Sequence, residues 1–420
     1  MKYLIQIFVF LLPFHAILVT YLKCKAIDTD ILRFWKEVII FLLFIVVKVL
    51  WNNNFKLEKI YKNNYLLLIT AFTISSFIYI YFPYFQPKIS SYLFKYDVFF
   101  LFALIILYLS SIKNNFDSIL KSIFASILIL IIFLPWYLFD IKTSTEIIGF
   151  NDKPSTYEAN GCISFAQNVT GHNRFQSFDP IRWSVFLVIF YFIYVSFVLH
   201  KELNNKFLRN VLIIIPSIFV LTSIFFAYTK TSMLGFLFSL LFFYLVRKIK
   251  FGKEIGKKFI ITSSSIIIIL FIILYIKRHL FLHPEAILGR IENLIISIDM
   301  FFYNPFGYLG IAGPASQLAT SSNSSLSAGV NKFLPENWYI QILLEQSLIG
   351  LLFIILSIIW VYLWRIVKLK KDYLSIIFVS YITILFMANF THIFEEAATS
   401  FILFMIIAYI AKESRDFKKR

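Results

Sequence analysis

Ile181 to Leu199 reads IRWSVFLVIFYFIYVSFVL, and beyond Arg182 it carries no charge. Coiled as a helix at 1.5 Å per residue, the run is about 28 Å long. That matches the roughly 30 Å hydrocarbon core of a bilayer. The run is continuous rather than alternating, which excludes a strand of a membrane barrel. Only helices and closed barrels satisfy the backbone in lipid, so the segment reads as a helical span. Working outward, comparable runs of about 16 to 22 residues recur near 3–21, 35–51, 65–83, 96–112, 122–139, 211–228, 231–246, 259–276, 339–361, 374–390 and 397–411, giving about twelve spans. The run at 35–51 is the weakest, because Lys48 sits inside it.

The whole chain agrees with its parts. It is 60% hydrophobic and 20% aromatic over 420 residues, with a mean hydropathy of +0.79, well outside the composition of a soluble globular domain. The expected fold class is all-α, a polytopic transmembrane helical bundle. Spans one to five occupy 1–139 and spans six to nine 181–276. Spans ten to twelve and a basic tail occupy 339–420. Two long loops, 140–180 and 277–338, separate these blocks.

Charge orients the bundle. Basic clusters fall on every second loop in the later part of the chain: Lys201, Lys206 and Arg209, then Arg247, Lys248, Lys250, Lys253, Lys257 and Lys258, then Arg365, Lys368, Lys370 and Lys371. With the tail, Lys2 and two earlier connections, one face collects about 24 of the 40 basic residues and the other about 15. The richer face is cytoplasmic, so both termini are expected inside and both long loops outside. The net charge of +17 is then explained by anionic headgroups on the cytoplasmic side, and no nucleic-acid partner is expected. The first run lacks a small-residue cleavage site and reads as a retained span. Cys24 and Cys162 both fall toward the outer face. There is no internal repeat and no inverted pair of Gly/Pro-broken spans of the transporter kind. Ser316 to Lys332, SQLATSSNSSLSAGVNK, reads as a flap of small polar residues.

The 277–338 loop holds the densest chemistry. Ile287 to Phe302 is moderately amphipathic, with Arg290 and Ser297 on one side and Leu294 and Ile298 on the other. It reads as a helix along the outer interface, with Arg290 turned into a cavity. Asn304-Pro305 ends it, and Gly307 and Gly310 permit a tight turn. Pro335-Glu336-Asn337 then opens a new helix with Glu336 in its first turn, where the helix dipole favours a carboxylate. The plainer reading is a structural cap, with Trp338 and Tyr339 as an interfacial aromatic belt. Glu345 lies more than a turn into the span, where an ionised carboxylate costs about 2.5–3.5 kcal/mol. Gln341 shares its face, and Glu345 reads as structural rather than catalytic.

A second group lies nearby in the expected topology. Arg174, Asp179 and Arg182 gather at the entrance to span six, and Lys230 lies in the short turn AYTKTSM. Each alone suits a snorkelling anchor. Together with Arg290 they suit an anion at the outer surface, since guanidinium binds phosphate bidentately. Asp28 and Asp30 are better explained by charge balance with Lys23, Lys25, Arg33 and Lys36. His279 and His283 have metal-like spacing, but Pro284 follows and no paired acid is apparent, so no metal is expected.

In order and placement, four blocks resemble the O-antigen ligase/polymerase superfamily of bacterial membrane glycosyltransferases. They are RFQSFDP from Arg174, TKTSMLGF from Thr229, GRIENLIISIDMFFYNPFGYLG from Gly289 and ENWYIQILLEQSLIG from Glu336. The likeness covers less than half the chain. It implies a GT-C-like bundle in the bacterial inner membrane, with glycan transferred from undecaprenyl diphosphate at the outer face without metal or cofactor. The diphosphate is a good leaving group, so cations and one base suffice. By the resemblance, Arg290 holds diphosphate with Arg174 or Arg182, and Glu336 is the base. Arg290 and Glu336 are thus the expected catalytic pair. Lys230, Asn337 and Tyr339 complete the expected substrate-binding set. Lys230 stands where many members have Arg, and Glu336 where ligases usually have His.

That last departure favours a polysaccharide polymerase over a ligase acting on a lipid A core or a protein. The expected partners are an undecaprenyl-diphosphate-linked oligosaccharide, a chain-length regulator and a flippase. The non-enzyme alternative is that the chain is itself a flippase or other transporter. Its charge lies in long outer loops rather than inside the bundle, which disfavours that alternative.

Overall fold

The structure is a computed structural model. It describes residues 2–14, 180–200, 205–227, 230–251, 284–307, 335, 337–361 and 372–391, with isolated positions at 35, 38–39, 42, 121–122, 124–126, 129, 168–169, 172–173 and 406. These residues are overwhelmingly helical. In chain order the helices are α1 (Lys2–Leu11), α2 (Pro180–His200), α3 (Lys206–Ala227), α4 (Lys230–Phe251), α5 (Pro284–Tyr303), α6 (Trp338–Val361) and α7 (Asp372–Met387). The expected runs at 181–199, 211–228, 231–246, 339–361 and 374–390 coincide with α2, α3, α4, α6 and α7. Those at 35–51, 65–83, 96–112, 122–139, 259–276 and 397–411 lie wholly or mostly outside the described residues.

Among the described residues, Trp338–Leu356 is the helix long and apolar enough to cross a membrane. Ser184–Val195, Phe207–Thr222, Lys230–Leu245 and Phe378–Met387 are shorter apolar helical stretches. One small departure from the all-α expectation falls in the 140–180 loop. There β1 (Asn168–Val169) pairs antiparallel with β2 (His172–Asn173), Asn168 opposite Asn173.

The chain divides into two compact units. Unit one takes Met1–Val46, Ser110–Leu282 and Lys370–Thr383; unit two takes Val47–Leu109, His283–Leu369 and Ile384–Arg420.

In unit one, α2 packs against α3 and α4. Its middle has no polar side: Val185 to Ile189 are each at most 1% exposed. A helix that is apolar all round belongs in the middle of a bundle, and α2 is placed there. Its polar atoms are therefore matched across helices rather than hydrated. Ser184 hydrogen-bonds Ser232 of α4, and Ser380 of α7 donates to the Ile189 carbonyl at 3.2 Å. Ser239 and Thr383 share a further buried hydroxyl contact. Small hydroxyl residues let helix backbones approach, and their bonds hold the approach in an apolar interior.

Pro216 inside α3 poses a local problem. Lacking an N–H, it leaves the carbonyl four residues earlier without its helical donor. That carbonyl belongs to Leu212, and the Tyr194 hydroxyl of α2 donates to it at 2.5 Å. The neighbouring Ser217 hydroxyl reaches back to Ile213 O at 2.5 Å and contacts the Tyr191 hydroxyl at 2.8 Å. Tyr194→Phe should therefore destabilise the α2–α3 packing by about 1 kcal/mol, the loss of a hydrogen bond to a half-buried carbonyl. Thermal unfolding of the purified chain would read this, with the exposed Phe207→Leu as a neutral control.

In unit two, α5 and α6 pack against each other, and the end of α7 caps the start of α6. Leu344 is buried against Met300, Phe301 and Ile340. Outward, α6 presents Leu348, Ile349, Leu352, Ile355 and Leu356.

Candidate functional site

The unit-two portion of the site begins with α5. Pro284 opens the helix with its ring preset for helical φ, and Glu285 follows in the first turn. The helix runs through Tyr303, close to the Ile287–Phe302 expectation. It ends as Asn304-Pro305 implied. Asn304 N still bonds back to Met300 O at 3.0 Å, and Gly307 N then closes a turn onto Asn304 O at 3.0 Å. Asn at the first position, Pro at the second and Gly at the fourth are what such a turn favours. Gly307 takes φ +64°, and a Cβ there would stand 2.4 Å from the Leu344 carbonyl oxygen. The turn is thus seated backbone to backbone on α6, which only glycine permits.

The start of α6 can be accounted for donor by donor. Trp338 N donates to Ala388 O at 2.9 Å. Tyr339 N and Ile340 N both donate to Asn337 Oδ1, at 2.9 and 3.2 Å. Gln341 N closes the first helical bond onto Asn337 O at 3.1 Å. Asn337 is therefore the N-cap, and the N–H groups of Trp338, Tyr339 and Ile340, which a helix start ordinarily leaves open, are occupied. This corrects the sequence expectation in one respect. The helix starts at Trp338, so Glu336, which lies outside the described residues, precedes the cap instead of standing in the first turn.

Tyr339 is likewise engaged. Its hydroxyl donates to Leu385 O at 2.9 Å, a carbonyl that also accepts from Asn389 Nδ2 at 3.3 Å. Its ring meets Trp338 edge-on at 5.4 Å. Asn337 and Tyr339, expected as substrate ligands, spend these groups on structure: Asn337 on capping its own helix, Tyr339 on holding the start of α6 to the end of α7.

One turn further in, Gln341 Nε2 donates to Glu345 Oε2 at 3.3 Å, as the shared face implied. Glu345 is buried, as are Gln346 and Ser347. The span then breaks. Ser347 has φ 59° and ψ −171°, a region that residues other than glycine occupy at a cost of about 1–3 kcal/mol. Its hydroxyl accepts from Ile349 N at 3.2 Å, so Ser347 caps the second half of the helix. Ser347→Gly should relieve the strain and lose little capping, raising stability. Ser347→Ala keeps the strain and loses the cap, lowering it by about 1 kcal/mol. The melting order Gly above Ser above Ala checks this; Ala equal to or above Ser would remove the capping role.

Arg290 is exposed on α5. It lies ten residues before Met300, or about 15 Å along a helix axis from the contact with Leu344. The sequence placed it on the same side as Ser297, yet Ser297 is buried with its hydroxyl on Asn293 O at 2.6 Å. Arg290 thus stands at the edge of the packed face rather than within it.

The remaining expected residues belong to unit one. Arg182 lies in the first turn of α2 and Lys230 is the first residue of α4, half-buried beside the buried Thr231 and Ser232. Arg174, Cys24, Cys162, Asp28, Asp30, His279, His283 and the 316–332 segment lie outside the described residues.

Sequence reading missed the Gly307 seat, the break at Ser347 and the closed cap at Asn337. The first had a signal in the string Asn-Pro-Phe-Gly, which specifies a turn though not what it rests on. Compared with protein-family models, with curated proteins and with solved structures, the chain finds no match.

Proposed function

We propose that the chain is a membrane glycosyltransferase of the polysaccharide-polymerase kind. It would move a growing glycan from undecaprenyl diphosphate onto a lipid-linked repeat unit at the outer face of the inner membrane. The observation that carries this reading is the exposed Arg290 at the rim of α5, a helix whose aliphatic side also faces outward. A guanidinium so placed meets an anion that arrives in the plane of a membrane, and it pairs bidentately with phosphate. The N–H groups at the start of α6 are spent on the cap and on Ala388. At the start of α6, side-chain charge therefore does the work that a helix N-terminus does in other phosphate sites.

Glu336, immediately before the capped start of α6, takes the proton of the attacking sugar hydroxyl. As the bond from the anomeric carbon to the diphosphate oxygen breaks, the leaving diphosphate keeps the electron pair, and Arg290 stabilises the charge that develops there. Asn337 and Tyr339 fix the segment that carries Glu336. The proposal rests on unit-two residues; that Arg174, Arg182 and Lys230 also bind substrate is what the resemblance implies.

A deletion strain tests the reading by chain length. A single repeat unit on the acceptor is the expected result. Long unattached chains would instead indicate the ligase reading, and lipid-linked repeat units trapped on the cytoplasmic side would indicate transport.

A further inference from the structure

The packing of α5 is inverted relative to a helix of a water-soluble domain. Its polar residues Asn293, Ser297 and Asn304 face inward, half-buried or buried. Leu288, Ile291, Leu294, Ile295, Ile298 and Phe302 are all exposed. These six follow at three- and four-residue spacing and form one stripe about 120° wide along the helix. No charge interrupts the stripe. Arg290 borders it on one side, and Glu292 and Asp299 border it on the other.

We infer that α5 lies in the plane of the membrane surface, with this stripe in the acyl-chain region of the phospholipids and Arg290 at the level of their phosphates. Three further observations favour lipid as the occupant. Tyr303 stands 93% exposed at the end where the chain turns toward α6, and an exposed tyrosine so placed marks the headgroup boundary. The helix they lead to is the candidate span, which itself exposes aliphatic side chains from Leu348 to Leu356. The aliphatic stripe with charges flanking it on both sides is the pattern of an interfacial helix.

The α5 sequence carries three acids against one arginine, so apolar burial and not attraction to anionic lipid holds it there. The inference needs only a bilayer and stands apart from the glycosyl-transfer reading.

The test uses the full chain in phosphatidylcholine vesicles. Single cysteines at Ile291, Ile295, Ile298, Glu292 and Asp299, in a background with Cys24→Ser and Cys162→Ser, carry a fluorescent label. Brominated acyl chains should quench the three stripe positions several-fold more than the two acidic positions, and aqueous iodide should do the reverse. Replacing a third of the lipid with phosphatidylglycerol should leave that pattern unchanged. Stripe labels quenched mainly by iodide would overturn the inference. Stripe labels shielded from both quenchers would overturn it in favour of a protein partner or a second copy. The unaltered chain supplies an independent reading: phosphatidylcholine with a photoreactive tail should tag peptides spanning 288–302. Tags confined to 348–356 would likewise overturn the assignment.

Discussion

Gly307→Ala should lower the stability of unit two by about 2–4 kcal/mol, the range for overpacking combined with a left-handed backbone. Two independent costs act at this position. With φ at +64°, any L side chain is strained wherever it is put. The added methyl would also stand 2.4 Å from Leu344 O, 3.1 Å from Leu344 C and 3.2 Å from Glu345 C. These are backbone atoms of a helix, so no rotamer change can clear the space. The turn must lift off α6, which exposes Leu344 and loosens Met300, Phe301 and Ile340 around it.

Gly289→Ala is the matched control. It lies in the same helix-turn segment and nothing stands within 4 Å of its added Cβ. A helix-interior glycine replaced by alanine should gain about 0.5–1 kcal/mol. The thermal unfolding of the two variants should therefore shift in opposite directions. Equal midpoints would mean that the 304–307 turn does not rest on α6.

How much of this was legible in sequence depends on what each feature answers to. The bounds of α5, the Asn304–Gly307 turn and the Gln341–Glu345 pair follow from local rules of spacing and turn chemistry, and all three are present. Periodicity also ordered the faces of α5 correctly. The expectation that turned the Arg290–Ser297 side inward holds at Ser297 and not at Arg290, which stays exposed. In the structure, Ser297 is the buried residue and Ile298 the exposed one.

The break at Ser347 had no local signal. EQSLIG contains no proline, and its glycine, Gly350, lies under a Gln346 side chain folded over it, with Cβ atoms that would meet at 2.4 Å. That is a packing fact rather than a propensity. The cap at Asn337 was readable as a helix start. Its side-chain oxygen was expected to serve a substrate, and it is instead claimed by the two N–H groups of its own helix.

The same separation of faces sharpens the largest functional expectation. Arg290→Ala should abolish long-chain product while leaving the chain inserted in the membrane. An exposed arginine at the rim of α5 contributes little to packing, so a variant without it should fold, and its loss is read in chemistry. Removing one preorganised group that stabilises charge developing in a transition state lowers rate by about 10²–10³-fold. In a processive elongation, a loss of that size collapses a ladder of polymer to its shortest members. Arg290→Lys keeps the charge and loses the planar fork that grips phosphate at two points, so it should give shortened chains, not none. Glu292→Gln and Asp299→Asn, on the opposite border of the aliphatic stripe, should give ladders of normal length. Electrophoresis of surface polysaccharide alongside immunodetection of the chain in membrane fractions reads both halves of the expectation. A normal ladder from Arg290→Ala would remove the guanidinium from the mechanism. A shortened ladder from Asp299→Asn equal to that from Arg290→Ala would show that the membrane seating of α5, rather than the cation it carries, sets the length.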